Sequence, residues 1–136
     1  MVFGYTRMSP ATAGSRSFLY FAAAFNFGGA ALLATLARMA PGMLGMGAPT
    51  PGALLFVDLA SVLIAVFGIG YAMGGRDLAR LWPCVALGAL SKAGVAVLVV
   101  ACALGGEVAP LFLAVAVADA TFAVLFIRLL RSHAAG

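Results

Sequence analysis

Asn26, Asp58, Lys92 and Asp119 are the residues of this chain that could carry chemistry, because each interrupts a long apolar segment. A charge near the middle of such a segment costs several kcal/mol unless it is paired, hydrated or neutralised. Depth decides whether the four can meet. Lys92 lies nine residues past Pro83, about 13 Å from one edge of the apolar layer, and Asn26 lies at about the same depth, nine past Ser17. Asp119, nine residues past Pro110, starts from the opposite edge and falls roughly 4 Å above Lys92. Asp58, seven past Pro51, is a few ångströms higher still. The expected cluster pairs Lys92 with Asp119, with Asp58 above and Asn26 beside.

Two chemistries fit such a cluster. One is an internal ion pair that fixes helix register, a common use of polar groups between spans. The other is a proton- or ion-handling site. Two aspartates face one lysine, so one carboxyl is expected to stay protonated or to bind a cation, and Asp58, farther from Lys92, is the candidate.

Other reactive residues offer less. Met39, Met43 and Met46 are spaced by four and three, so on a helix they would form one thioether face suited to Cu(I), but Pro41 and Gly42 disturb that helix. Cys84 and Cys102, eighteen residues apart on one helix, stand roughly 27 Å from each other and cannot form a disulfide. His133 is the only histidine and falls in the C-terminal tail, so no span offers a haem ligand. The chain has no CxxC, no Ser–His–Asp set and no phosphate-cradling glycine loop. No enzyme, metal site or cofactor is expected.

The elements that must position the cluster follow from composition. The chain has 136 residues, of which 65% are hydrophobic and 9% charged, with a mean hydropathy of +1.15. A soluble domain needs far more charge to cover its surface. The expected fold is all-α: one integral membrane four-helix bundle over residues 1–136, with spans near 17–37, 52–73, 82–104 and 110–130. Each span has about 20 residues, enough for a ~30 Å hydrocarbon core. Pro83 and Pro110 are expected in first helical turns, where a missing N–H costs nothing. Residues 1–16 read as a flexible tail, and Tyr71 and Trp82 as interfacial anchors.

Net charge is +4, and the arginines explain it. Arg7, Arg16, Arg76, Arg80, Arg128 and Arg131 fall at the termini and the middle loop, against Arg38 alone on the other side, beside Glu107. Six against one predicts both termini in the cytoplasm and a location in the cell inner membrane. No basic stripe with interleaved aromatics points to nucleic acid.

Small residues predict the contact faces: Ala22, Asn26, Ala30 and Ala34 on the first span, Asp58, Ser61, Ala65, Gly68 and Ala72 on the second, Gly88, Lys92 and Ala96 on the third. Each half carries a polar group on its first helix and an aspartate on its second, a faint parallel echo at low identity. Phe25-Asn26, Pro41, Phe67-Gly68-Ile69-Gly70-Tyr71, the run from Gly88 to Lys92, and Asp119 before Phe126 to Arg131 complete the pattern. With these residues the chain resembles small four-span bacterial membrane proteins that lack an assigned activity. The resemblance implies a membrane bundle and brings no substrate. The small multidrug transporters differ, since their essential acid lies in the first span, where this chain has Asn26.

Two functions fit these features. The first is a non-enzymatic structural or accessory subunit that packs against a larger membrane assembly; the expected partners under either reading are the lipid bilayer and other membrane subunits or the protein itself. The alternative is a small oligomeric proton- or ion-coupled transporter or channel that uses Asp58, Lys92 and Asp119. Both require the same topology. In a background with Cys84 and Cys102 replaced by alanine, a single cysteine at Ala48 should react with an impermeant maleimide from outside the cell, and one at Ala135 only after permeabilisation. Labelling of Ala135→Cys from outside breaks the topology.

Overall fold

The structure, a computed structural model, describes residues 8–106 and 108–134. Arg7, Glu107 and Ala135 lie outside the described residues. Four helices run through it: α1 Ala13–Met39, α2 Pro51–Arg76, α3 Leu78–Leu104 and α4 Pro110–Ala134. They have 27, 26, 27 and 25 residues, and all four are long and apolar enough to cross a membrane. At 1.5 Å per residue each measures about 38–40 Å, so roughly a turn would project beyond a ~30 Å core at each end.

Caps set where the helices begin. The Thr12 hydroxyl oxygen accepts a hydrogen bond from the Ser15 N–H at 3.1 Å, which starts α1 at Ala13, ahead of the apolar span. Thr50 does the same for Ala53 at 3.2 Å, with Pro51 as first residue of α2. Asp77 serves two helices. Its N–H donates to the Met73 carbonyl and closes α2, and its carboxylate accepts from the Arg80 N–H at 3.2 Å and opens α3.

That shared cap corrects the expected place of Pro83. Because α3 starts at Leu78, Pro83 is its sixth residue and lies inside the helix, not in the first turn. The Ala79 carbonyl therefore has no N–H to accept from four residues on. Pro110 does open α4.

The N-terminal segment is not a free tail from Met8 onward. Met8 is buried, and the Ser9 N–H and hydroxyl both donate to the His133 carbonyl, at 3.0 and 3.2 Å. His133 is itself a buried residue of α4, bonded through Nδ1 to the Leu129 carbonyl at 2.9 Å and through Nε2 to the Ser15 hydroxyl at 3.3 Å.

Helix α1 packs along α2 and α3 along α4, and α2 joins the two hairpins by packing against α3. Backbones of α1 and α4 stand farther apart, and phenylalanine rings fill the space between them. Phe18 stacks on Phe122 at 6.1 Å between centroids, Phe25 meets Phe122 at 4.9 Å, and Phe126 meets Tyr71 at 4.7 Å. The main core gathers at the end of the bundle that holds both termini: Leu19, Tyr71, Leu78, Val85, Phe126 and Leu129. Toward the other end most of the buried residues are small, among them Ala30, Ala37, Ala96 and Ala116, with Val99 and Leu44 the larger exceptions.

Tyr71 is therefore no interfacial anchor. It is among the largest fully buried side chains, at 1% exposure, and Trp82 packs partly against the same core. Gly88 makes room for it: a Cβ at Gly88 would overlap the Tyr71 ring. Gly68 likewise lets α1 approach, with a Cβ there only 3.3 Å from the Ala23 carbonyl oxygen. Most of the expected faces hold, since Ala22, Asn26, Ala30, Ser61, Gly68, Gly88, Lys92 and Ala96 are all buried.

Glycines should separate by position. Gly88→Ala should cost about 1–3 kcal/mol through overpacking against Tyr71. Gly94→Ala, where nothing lies within 4 Å of the added carbon, should cost nothing. Unfolding titrations in mixed micelles measure both. Equal stability of the two variants would rule out the close Gly88–Tyr71 approach.

Candidate functional site

The expected Lys92–Asp119 pair forms. Lys92 sits one helical turn beyond Gly88 on α3, so it faces the bundle, and Asp119 faces it from the middle of α4. The ammonium Nζ donates to Asp119 Oδ1 at 2.6 Å, and both side chains are about nine-tenths buried. Two aromatic rings flank the ammonium, Phe122 at 5.1 Å and Phe25 at 5.7 Å from Nζ to the ring centres. Negative π faces attract a cation, so these rings stabilise the ammonium where the carboxylate does not reach. Lys92 thereby ties α3 to α4 by charge and to α1 through Phe25.

Asn26 serves a different joint. Its Nδ2–H donates to the Ile64 carbonyl on α2 at 3.0 Å, beside Gly68. It clasps α1 to α2.

Asp58 is a correction. Its depth predicts a place above Lys92 without a cation of its own. The structure gives it Arg38, whose Nη2 donates to Asp58 Oδ2 at 2.8 Å. Arg38 is in the last turn of α1, and side chains on a helix lean toward its N-terminus, here back into the bundle's depth. The same guanidinium donates through Nη1 to the Ala34 carbonyl at 3.0 Å. This pair lies on the outside of the α1–α2 hairpin, with both side chains nearly half exposed.

Charge is thus balanced one to one. Lys92 answers Asp119, Arg38 answers Asp58, and the two-carboxylates-on-one-lysine argument for a retained proton lapses. Pairing does not make the buried charges a large source of stability, because desolvation offsets much of the attraction. It does make each partner intolerant of losing the other.

Sequence reasoning missed Phe25, Phe122 and Arg38 as members of these sites. Phe18 and Phe25 are seven apart and Phe122 and Phe126 four apart, each spacing placing both rings on one face. It missed Tyr71 as well, whose buried hydroxyl has no hydrogen-bond partner among the described residues. The three methionines do not share a helical face: α1 ends at Met39, a 3-10 turn covers Pro41–Leu44, and Gly45 reverses the chain with φ +69°. No group of three metal-binding His, Cys, Asp or Glu side chains occurs among the described residues.

Comparison of the chain with protein-family models, curated proteins and solved structures finds no match.

A mutant cycle tests the central pair. Lys92→Ala should cost about 3–5 kcal/mol by stranding Asp119. Lys92→Leu combined with Asp119→Leu should recover most of that loss. A double variant as unstable as the sum of its singles means the two are not energetically coupled.

Proposed function

We propose that this chain is a multi-pass protein of the cell inner membrane, with both termini cytoplasmic, that serves as a non-enzymatic accessory subunit of a larger membrane assembly. Membrane residence is supported by four apolar helices of spanning length and by large side chains exposed along all of them. Orientation is supported by the arginine asymmetry.

The observation that carries the accessory reading is how the centre of the bundle is filled. Lys92 and Asp119 neutralise each other between the rings of Phe25 and Phe122. A transport site needs a charge that can exchange its partner for a substrate or a proton. With Asp58 held by Arg38, each intramembrane carboxylate has its own cation.

Helix α2 is the natural docking element. Only 11% of its apolar window is buried within the protein, against 28% for each of the other three helices. Leu55, Phe56, Leu59, Val62, Leu63 and Val66 are all exposed on it. In lipid, association rests on packing of such surfaces, because lipid tails supply no hydrophobic drive.

Photocrosslinking in native membranes tests this directly. A crosslinker at Leu63 or Val66 should capture a larger membrane protein, and the complex should survive purification in mild detergent. Crosslinks to a second copy of the chain alone, or to lipid alone, would remove the accessory role.

A further inference from the structure

The Arg38–Asp58 pair differs from the Lys92–Asp119 pair because it opens sideways. Its side chains are 46% and 45% exposed, whereas those of Lys92 and Asp119 are 8% and 11% exposed. A recess of about 360 Å³ lies beside it, lined by Ala34, Thr35, Arg38, Met39 and Asp58. The recess is shallow and open to the side, so it can take a headgroup only at the protein's surface.

Depth makes the exposure costly. Asp58 is seven residues into α2, about 10 Å from the end of the helix. If α2 is centred on a ~30 Å core, about 4 to 5 Å projects at that end, so Asp58 sits roughly 6 Å beneath the hydrocarbon edge. Arg38 reaches down to it from the end of α1. A half-exposed ion pair at that level faces the shoulders of the neighbouring lipids, where acyl chains cannot hydrate it.

Hydrogen-bonding capacity remains on both partners. A guanidinium has five N–H donors. Arg38 uses Nη1 toward Ala34 and Nη2 toward Asp58, and Asp58 accepts on Oδ2, with no protein donor to Oδ1 among the described residues. The surface therefore offers donors for an anion and, next to them, an acceptor for a cation. Its net charge is zero, so it has no general pull on acidic lipid. The complement is a headgroup that is itself a zwitterion.

We propose that this recess binds the headgroup of a zwitterionic phospholipid with a primary ammonium, its phosphate on Arg38 and its ammonium on Asp58. The primary ammonium matters, because N–H donors can bond to Oδ1 and a trimethylated nitrogen has none. Met39 and Thr35, both exposed, flank the path by which the lipid's glycerol end would leave the recess. The proposal rests on the membrane reading above and not on the accessory role.

Native mass spectrometry of the full-length protein, released from nanodiscs holding equal phosphatidylethanolamine, phosphatidylcholine and phosphatidylglycerol, tests it. Wild type should retain the ethanolamine lipid about tenfold over each of the others, the worth of one charge-assisted hydrogen bond. Asp58→Asn keeps a hydrogen-bonding oxygen for Arg38 but removes the anion, so preference should turn to phosphatidylglycerol. Equal retention of the three lipids by wild type overturns the proposal, and this comparison needs no variant to fold. An unchanged preference in a folded Asp58→Asn, or a co-purifying protein that shields Arg38 from modification, overturns it as well. Free phosphoethanolamine that binds as tightly as the lipid overturns the lipid as its source. Failure to enter nanodiscs at all would instead break the membrane reading.

Discussion

An ammonium and a carboxylate held 2.6 Å apart in the middle of four apolar helices allow few alternative arrangements of those helices. Sliding α3 by one turn past α4 would move Lys92 about 5.4 Å along the axis and leave both charges without partners. Apolar faces tolerate such a slip, because one leucine contact resembles another. Charges do not. The pair therefore acts mainly as a register lock, and the rings of Phe25 and Phe122 carry the lock to α1. Asn26, bonded to the Ile64 carbonyl, does the same for α1 against α2 with a neutral group.

Around this lock the two ends of the bundle are built differently. At the end with the termini, rings fill a wide gap between α1 and α4, and the Ser9–His133–Ser15 bonds seal it. At the other end, alanines bring the helices together and little large apolar surface is buried. Arg38 and Asp58 belong to this second end, on the outside of the α1–α2 hairpin, which leaves them no interior to retreat into.

Much of this was legible in the sequence. Counting residues from helix ends places Lys92 and Asp119 at compatible depths, and the small residues mark the faces that meet. Depth, however, is only one coordinate. Asp58 has nearly the depth of Asp119 but faces α1, and a helix that is apolar all round does not reveal which neighbour each face will meet. The Cα of Arg38 is at the end of α1, while its guanidinium reaches back along the helix to Asp58. Tyr71 near a helix end resembles an anchor until the glycine that receives it, Gly88, is placed across from it. Pro83 reads as a first-turn residue only while Asp77 goes unrecognised as a cap.

Asp77 has a mechanical consequence. One residue ends α2 and begins α3, with φ −146° and ψ 79°, so no slack chain separates the two hairpins. Any tilt of α3 and α4 relative to α1 and α2 must be taken up by rotation about the bonds of that one residue. Moving the C-terminal hairpin as a body would break the Arg80 N–H bond to its carboxylate or the Asp77 N–H bond to Met73. Asp77 is thus a pivot with its own latch, and the bundle can flex there only by uncapping a helix.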